Sequence, residues 1–220
     1  MKAFVFALLF VVAAVQGRSA RVEVARTPAA PGENPWVVHL RIATSSANGL
    51  LSTCVGSLIG QSWVLTSASC IRDVTFIWIR YGAVEVIRPE LVTETRTVSI
   101  DEASGLAIIN INTVVAVTDN IAPVSLPEAD AEVPESATVC AYGAEGSAPG
   151  ELLRCSAVAL EASDARILGT SDELPTSFDI GAPLVANGVQ VGVLTGVDGD
   201  KSVYASTASS IEWINSVIDA

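Results

Sequence analysis

The residues of this chain able to form covalent bonds or hold a metal are few: Cys54, Cys70, Cys140 and Cys155, one histidine, His39, and carboxylates that gather only at Glu128, Asp130, Glu132 and Glu135. In an exported chain four cysteines imply two disulfides, and three pairings satisfy that count. No Cys-x-x-Cys spacing occurs, and a single histidine argues against a Cys/His zinc site. The acidic cluster reads as a solvated loop rather than a calcium site. Neither a metal nor a cofactor is expected.

Export is indicated by the first residues. Met1-Lys2, an apolar run from Ala3 to Val15 and the ending Val15-Gln16-Gly17 make residues 1–17 a secretory signal peptide, cut before Arg18. The run of about 13 apolar residues is too short for a membrane helix, which needs roughly 20. The expected location is therefore extracellular, with no membrane partner. The chain carries 12 Lys+Arg against 24 Asp+Glu, a net charge of −12, and loss of residues 1–17 removes one lysine and no acid. Lys201 is then the only lysine. Nucleic acid is excluded as a partner, because phosphate binding needs clustered Lys and Arg.

The elements that would position these residues are short strands. Apolar, β-branched runs at Trp36 to Ile42, Trp63 to Thr66, Thr75 to Tyr81, Ala107 to Ile111, Ala137 to Tyr142, Leu152 to Leu160 and Gln190 to Thr195 are separated by Gly, Pro, Asn and Asp. Helical spacing occurs at the end, where Ile211, Ile214, Val217 and Ile218 follow a candidate cap at Ser209. The fold class is all-β with a short C-terminal helix. Residues 116–134 read as a linker between two halves.

Four segments in order resemble the chymotrypsin family. Thr27-Pro28-Ala29-Ala30-Pro31-Gly32-Glu33-Asn34-Pro35-Trp36 looks like the start of mature insect chymotrypsin-like enzymes. Cys54 to Ile59 and Trp63 to Cys70 are similar to CGGSLI and WVLTAAHC, Asp179 to Val185 to DSGGPLV, and Val203-Tyr204 with Trp213-Ile214 to the family's closing strand and helix. The resemblance implies two six-stranded antiparallel β-barrels over residues 27–220, preceded by a degenerate activation segment at 18–26. It also implies a Cys54–Cys70 disulfide, leaving Cys140 with Cys155.

The same resemblance shows which chemistry is missing. Acyl transfer on this fold needs a serine nucleophile, a histidine base and an aspartate that orients it. Their positions hold Ile180, Ser69 and Gly105. Isoleucine has no lone pair for attack, and a serine hydroxyl does not take a proton near neutral pH as imidazole does. His39 lies far upstream in a barrel strand and is expected to be structural, while Asp101 and Glu102 near Gly105 are expected to be surface acids. Asp179, which in the family pairs with the N-terminal ammonium group freed by activation, is retained; an ion pair of that kind is possible here but not indicated. The oxyanion hole would use the amides of Phe178 and Ile180. Leu174 is expected at the base of a shortened pocket, with Thr195-Gly196-Val197 along its wall.

The chain is thus expected to be an inactive protease homologue, a secreted binding or regulatory module whose partner is another protein, a protease or a protease inhibitor. The alternative is a bulk structural or storage protein of a secretion, in keeping with its acidity and scarcity of lysine.

Overall fold

The structure, a computed structural model, describes residues 26–45, 50–163 and 165–219. Residues 1–17, expected to be a signal peptide, and all of the expected activation segment but Arg26 lie outside the described residues. The chain enters with β1 (Thr27–Pro28). The first barrel follows as β2 (Val37–Thr44), β3 (Leu51–Gly60), β4 (Trp63–Ser67), the single helical turn α1 (Ala68–Ile71), β5 (Val74–Tyr81), β6 (Leu91–Thr95), β7 (Thr97–Asp101) and β8 (Leu106–Asn110). The second contains β9 (Ser136–Ala141), a small hairpin of β10 (Ala144–Glu145) and β11 (Ala148–Pro149), β12 (Arg154–Ser163), β13 (Arg166–Thr170), β14 (Pro183–Ala186), β15 (Val189–Asp198) and β16 (Lys201–Ser206). Helix α2 (Ile211–Ile218) closes the chain.

The first sheet runs β6-β5-β2-β3-β4-β8-β7. Its end strands are consecutive in the chain, with only Arg96 between them, so one bent strand carries the sheet around on itself. The second runs β12-β13-β16-β15-β14-β9 and closes through β12–β9 pairing, while β1 adds to the free side of β12. The chymotrypsin-like fold is therefore present, with every ladder antiparallel, but where the resemblance implies two six-stranded barrels the ladders close only the second, and the first is a half-barrel sheet whose two end strands meet at Arg96 without pairing.

Alternation explains which residues fill the barrels, since successive side chains of a strand face opposite sides. In β2, Val38, Leu40 and Ile42 point inward, as do Ile77, Ile79 and Tyr81 of β5; all are fully buried. Truncating one of the large aliphatic members to alanine would cost about 2–5 kcal/mol through lost transfer energy and a residual cavity. A third cluster, with Leu65, Leu106, Ile108, Val193 and Ile214, joins the barrels to α2. Ile211 and Ile214 are the buried face of that helix, as the spacing predicts. The cap differs: Ser209 lies in a short 3-10 turn, Ala208–Ser210, where its N–H donates to Ser206 Oγ. Residues 116–134 form no strand, yet they are pinned along the way by Ala122 N–H to Pro35 O, Val124 N–H to Leu58 O and Gln190 N–H to Ser125 O.

Candidate functional site

The three positions expected to carry the triad come together between the barrels. Ser69 sits in α1, which starts with Ser67 Oγ accepting from the Ser69 N–H. The preceding Ala68 N–H donates to Gly105 O at 2.8 Å, and the following Cys70 Sγ lies 3.6 Å from Ile180 O. The three positions thus share one neighbourhood, occupied by Ser69, Gly105 and Ile180. Ser69 is exposed and its hydroxyl shares a 2.8 Å hydrogen bond with Ser67 Oγ. Gly105 has φ of 77°, a left-handed conformation that favours glycine. Ile180 packs against the clusters of both barrels, an apolar bridge where a nucleophile would stand. Asp101 and Glu102 serve local structure: Asp101 accepts from Ala103 N–H, and Glu102 pairs with Arg72 at 3.3 Å on the surface.

The turn around Ile180 is held firmly. Ile180 O accepts from Val55 N–H at 2.9 Å, and Gly181 N–H donates to Leu194 O at 2.8 Å. Gly181 has φ of 88°, and a Cβ there would collide with the Val55 carbonyl and Thr66 Oγ1, so only glycine fits. On the other side, the Phe178 N–H, one of the two expected oxyanion donors, is engaged by Thr176 Oγ1 at 3.3 Å. That donor is turned to its own loop rather than toward a carbonyl outside it. Leu174, expected at a pocket base, is 36% exposed, and its carbonyl lies 3.4 Å from Arg26 Nη2.

Asp179 is the most heavily bonded side chain of the region. Fully buried, it accepts from Gly143 N–H at 2.6 Å, from Thr176 N–H at 2.8 Å, from Thr176 Oγ1 at 3.1 Å and from Arg26 Nη1 at 3.1 Å. The partner of the retained aspartate is therefore a guanidinium side chain. Arg26 is itself buried, with Glu173 3.8 Å from its Nε. Such a pair needs hydrogen bonds beyond its own attraction to offset desolvation; the carboxylate has them, while Arg26 Nε, buried, makes none.

His39 is structural, as expected, and only 1% exposed. Its ring meets Tyr142 edge-on at 5.0 Å across the barrel junction, and Tyr142 Oη donates to Ala83 O at 2.7 Å. Burial, with Arg80 and Arg41 nearby, pushes the imidazole down to about 3, so it is neutral at ordinary pH. Cys54–Cys70 and Cys140–Cys155 are both disulfides, with Cα atoms 6.2 Å and 4.1 Å apart. The second joins residues directly opposite in the β9–β12 ladder. Among the described residues no three His, Cys, Asp or Glu side chains are placed to hold a metal ion.

Known proteins agree with this architecture. Mouse (Mus musculus) serine protease 28 is 27% identical over 239 aligned residues, covering 86% of each chain. Among solved structures, HL collagenase superposes with a TM-score of 0.80 at 22% identity, over 89% of this chain and 98% of its own. The scabies mite inactivated protease paralogue S-I1 does so at 0.75 and 20% identity, over 87% and 98%. The trypsin family model matches residues 23–214, nearly the whole domain seen here. With its two antiparallel sheets, its closing helix and the conserved-type turn at Asp179–Gly181 all in that frame, the chain belongs to the trypsin family of serine protease domains.

Proposed function

We propose that this chain is a secreted, catalytically inactive trypsin-family protein that acts by binding another protein, a protease or a protease inhibitor. The observation that carries the reading is Ile180, an aliphatic side chain wedged between the barrel cores where covalent catalysis needs a nucleophile. Ser69 and Gly105 support it, because neither a base nor a group to orient one stands beside that position. The internally engaged Phe178 amide and the exposed Leu174 remove two further supports for a substrate. Likeness in fold to a scabies mite protein named as an inactivated protease paralogue is consistent with a chain that keeps the scaffold without the activity.

The elements that hold the scaffold are intact, including two disulfides of the sort that persist in oxidising compartments outside the cytosol. Together with the apolar leader at residues 1–17 this supports secretion. The Thr27–Trp36 stretch, which looks like insect chymotrypsin-like enzymes, is the feature that points to an insect homologue. The test is direct: the purified protein is offered casein, trypsin and chymotrypsin peptide substrates and a fluorophosphonate serine probe. No turnover and no labelling are expected. Stoichiometric labelling by the probe would overturn the reading.

A further inference from the structure

The outer face of the first barrel carries two arginines, Arg41 and Arg80, that form no ion pair within the described residues. Strands β3, β2, β5 and β6 present, in one cross-strand row, Thr53, Arg41, Trp78 and Glu94, and in the next Val55, His39, Arg80 and Val92. Leu51, Ala43 and Phe76 form the row on the other side of Arg41. All of these lie on the side of the strands opposite the buried Leu40, Ile42, Ile77 and Ile79. His39 is covered by Tyr142, but Phe76, Trp78, Arg41 and Arg80 are only half-buried. Val92 is 46% exposed, and Leu50 at the sheet edge 76%. The Phe76 and Trp78 rings pack 4.8 Å apart.

Acids outnumber Lys+Arg by 24 to 12, and among the described residues Arg26, Arg72, Arg88 and Lys201 all have carboxylate partners. Arg41, Arg80, Arg96, Arg154 and Arg166 have none, and of these Arg41 and Arg80 lie together on this face. Glu94, in the row of Arg41, forms no ion pair with either. Arg41 Nε, Arg80 Nη1 and His39 Nδ1 are buried polar atoms without a hydrogen-bond partner. Two guanidinium groups are thus left diagonal to one another beside an aromatic pair, an arrangement rich in the residue types that anchor protein interfaces. Burial and the like charge of Arg41 together hold Arg80 below its ordinary value.

The geometry points to this face as a docking surface for an extended acidic segment of a partner protein, with carboxylates two residues apart on Arg41 and Arg80 and an intervening or flanking apolar side chain against Trp78 and Phe76. Diagonal neighbours on adjacent strands stand roughly 7 Å apart, which matches the rise of two residues in an extended chain. Guanidinium forks favour carboxylates by forming paired hydrogen bonds. A second copy of this chain fits less well. Its own Glu128-Ala129-Asp130-Ala131-Glu132 has the alternation, but Ala131 N–H donates to Glu128 O, bending the segment into a turn. Copies of the same acidic chain also repel. A sulfated polysaccharide, negative along its whole length, meets the net charge of −12 well beyond this face, whereas a short segment need meet only Arg41, Arg80 and the rings beside them.

This inference names a partner for the proposed binding role, yet it does not depend on the absence of hydrolysis, so either can fail alone. The test is fluorescence anisotropy with a labelled peptide that alternates Asp or Glu with Phe and Ile, compared with a lysine-for-acid peptide and with a sulfated oligosaccharide. The acidic peptide is expected to bind with micromolar affinity that weakens between about 50 and about 300 mM salt. Arg41→Ala, Arg80→Ala and Trp78→Ala should each weaken it about tenfold, one step of 1.4 kcal/mol in binding. Arg88→Ala, a surface arginine already paired with Glu85, should leave it unchanged. Arg41→Gln and Arg80→Gln serve as second variants, with thermal melting to show that each is folded. Equal affinity in folded Arg41 and Arg80 variants overturns the proposal. So does tighter binding of the oligosaccharide, or dimerisation in sedimentation that the arginine variants abolish.

Discussion

Asp179 and Ile180 are adjacent in the chain and opposite in what they contribute. Asp179 is fully buried and bonded to Arg26, Gly143 and Thr176, tying the chain entry, the β9–β10 turn and its own loop into one node. Ile180 makes no polar side-chain contact and fills apolar space between the two barrel cores. One position carries the structural half of the comparison, and its neighbour bears on the chemical half, with an aliphatic side chain that has no lone pair to offer a carbonyl. The contrast teaches that the conformation of this loop does not need the reaction: its geometry is held by a charge pair, a glycine at Gly181 and backbone hydrogen bonds, none of which requires a nucleophile.

The sharpest way to break that comparison is to break the node. Arg26→Ala or Asp179→Ala should lower stability in urea unfolding by about 3–5 kcal/mol, because each leaves an uncompensated buried charge. The double change Arg26→Met with Asp179→Leu should cost clearly less than the sum of the singles. Additive losses would mean that the two groups act independently. Next in size is the cross-strand disulfide. Replacing Cys140 and Cys155 with alanine should cost about 3 kcal/mol in the chain-entropy model for a loop of this length, read from the same denaturation curves.

The histidine at the barrel junction gives a smaller, pH-dependent effect. Its folded value of about 3 lies below the unfolded value of 6.5, so the unfolded state binds more protons in that window. Stability from a neutral His39 is therefore full above pH 6.5 and lost as pH falls toward 3, by at most about 1.4 kcal/mol per pH unit. His39→Gln should flatten that part of the stability curve, and an unchanged slope would show that carboxylates alone account for it.

The smallest expected effect is on activity, and it sharpens the chemical half. Ile180→Ser should leave hydrolysis of a chymotrypsin peptide ester at background, since Ser69 and Gly105 provide neither base nor orienting acid. Ser69→His, Gly105→Asp and Ile180→Ser combined should also stay far below a working protease. An aspartate at φ of 77° is strained by roughly 1–2 kcal/mol, and the Phe178 donor remains turned to Thr176. Robust turnover by the single variant would reveal a base that the geometry does not show.

Much of the frame was legible in residue order. The apolar runs from Trp36 to Ile42, Thr75 to Tyr81 and Leu152 to Leu160 fall for the most part on β2, β5 and β12, because β-branched alternation is a local property that each segment carries with it. Strands β6, β7 and β13 were not named beforehand; their exposed polar residues and the break at Arg96 weaken the alternation. The residue types at positions 69, 105 and 180 were readable as soon as the flanking motifs were matched, since the kind of side chain settles what it can do to a proton or a carbonyl.

What the order of residues could not contain was which groups would meet at a distance. Arg26 and Asp179 are 153 positions apart, and whether a surviving aspartate pairs with a chain terminus or a side chain depends on how β1 docks against β12 and on what that docking leaves within reach. His39 and Arg41 share one face of β2 by alternation, and the β2–β5 register brings Arg80 beside them. That Tyr142 covers the first while the other two stay half-open and unmatched follows from the placement of the second barrel against the first, and packing between distant segments is a property of the folded molecule rather than of any window of its sequence.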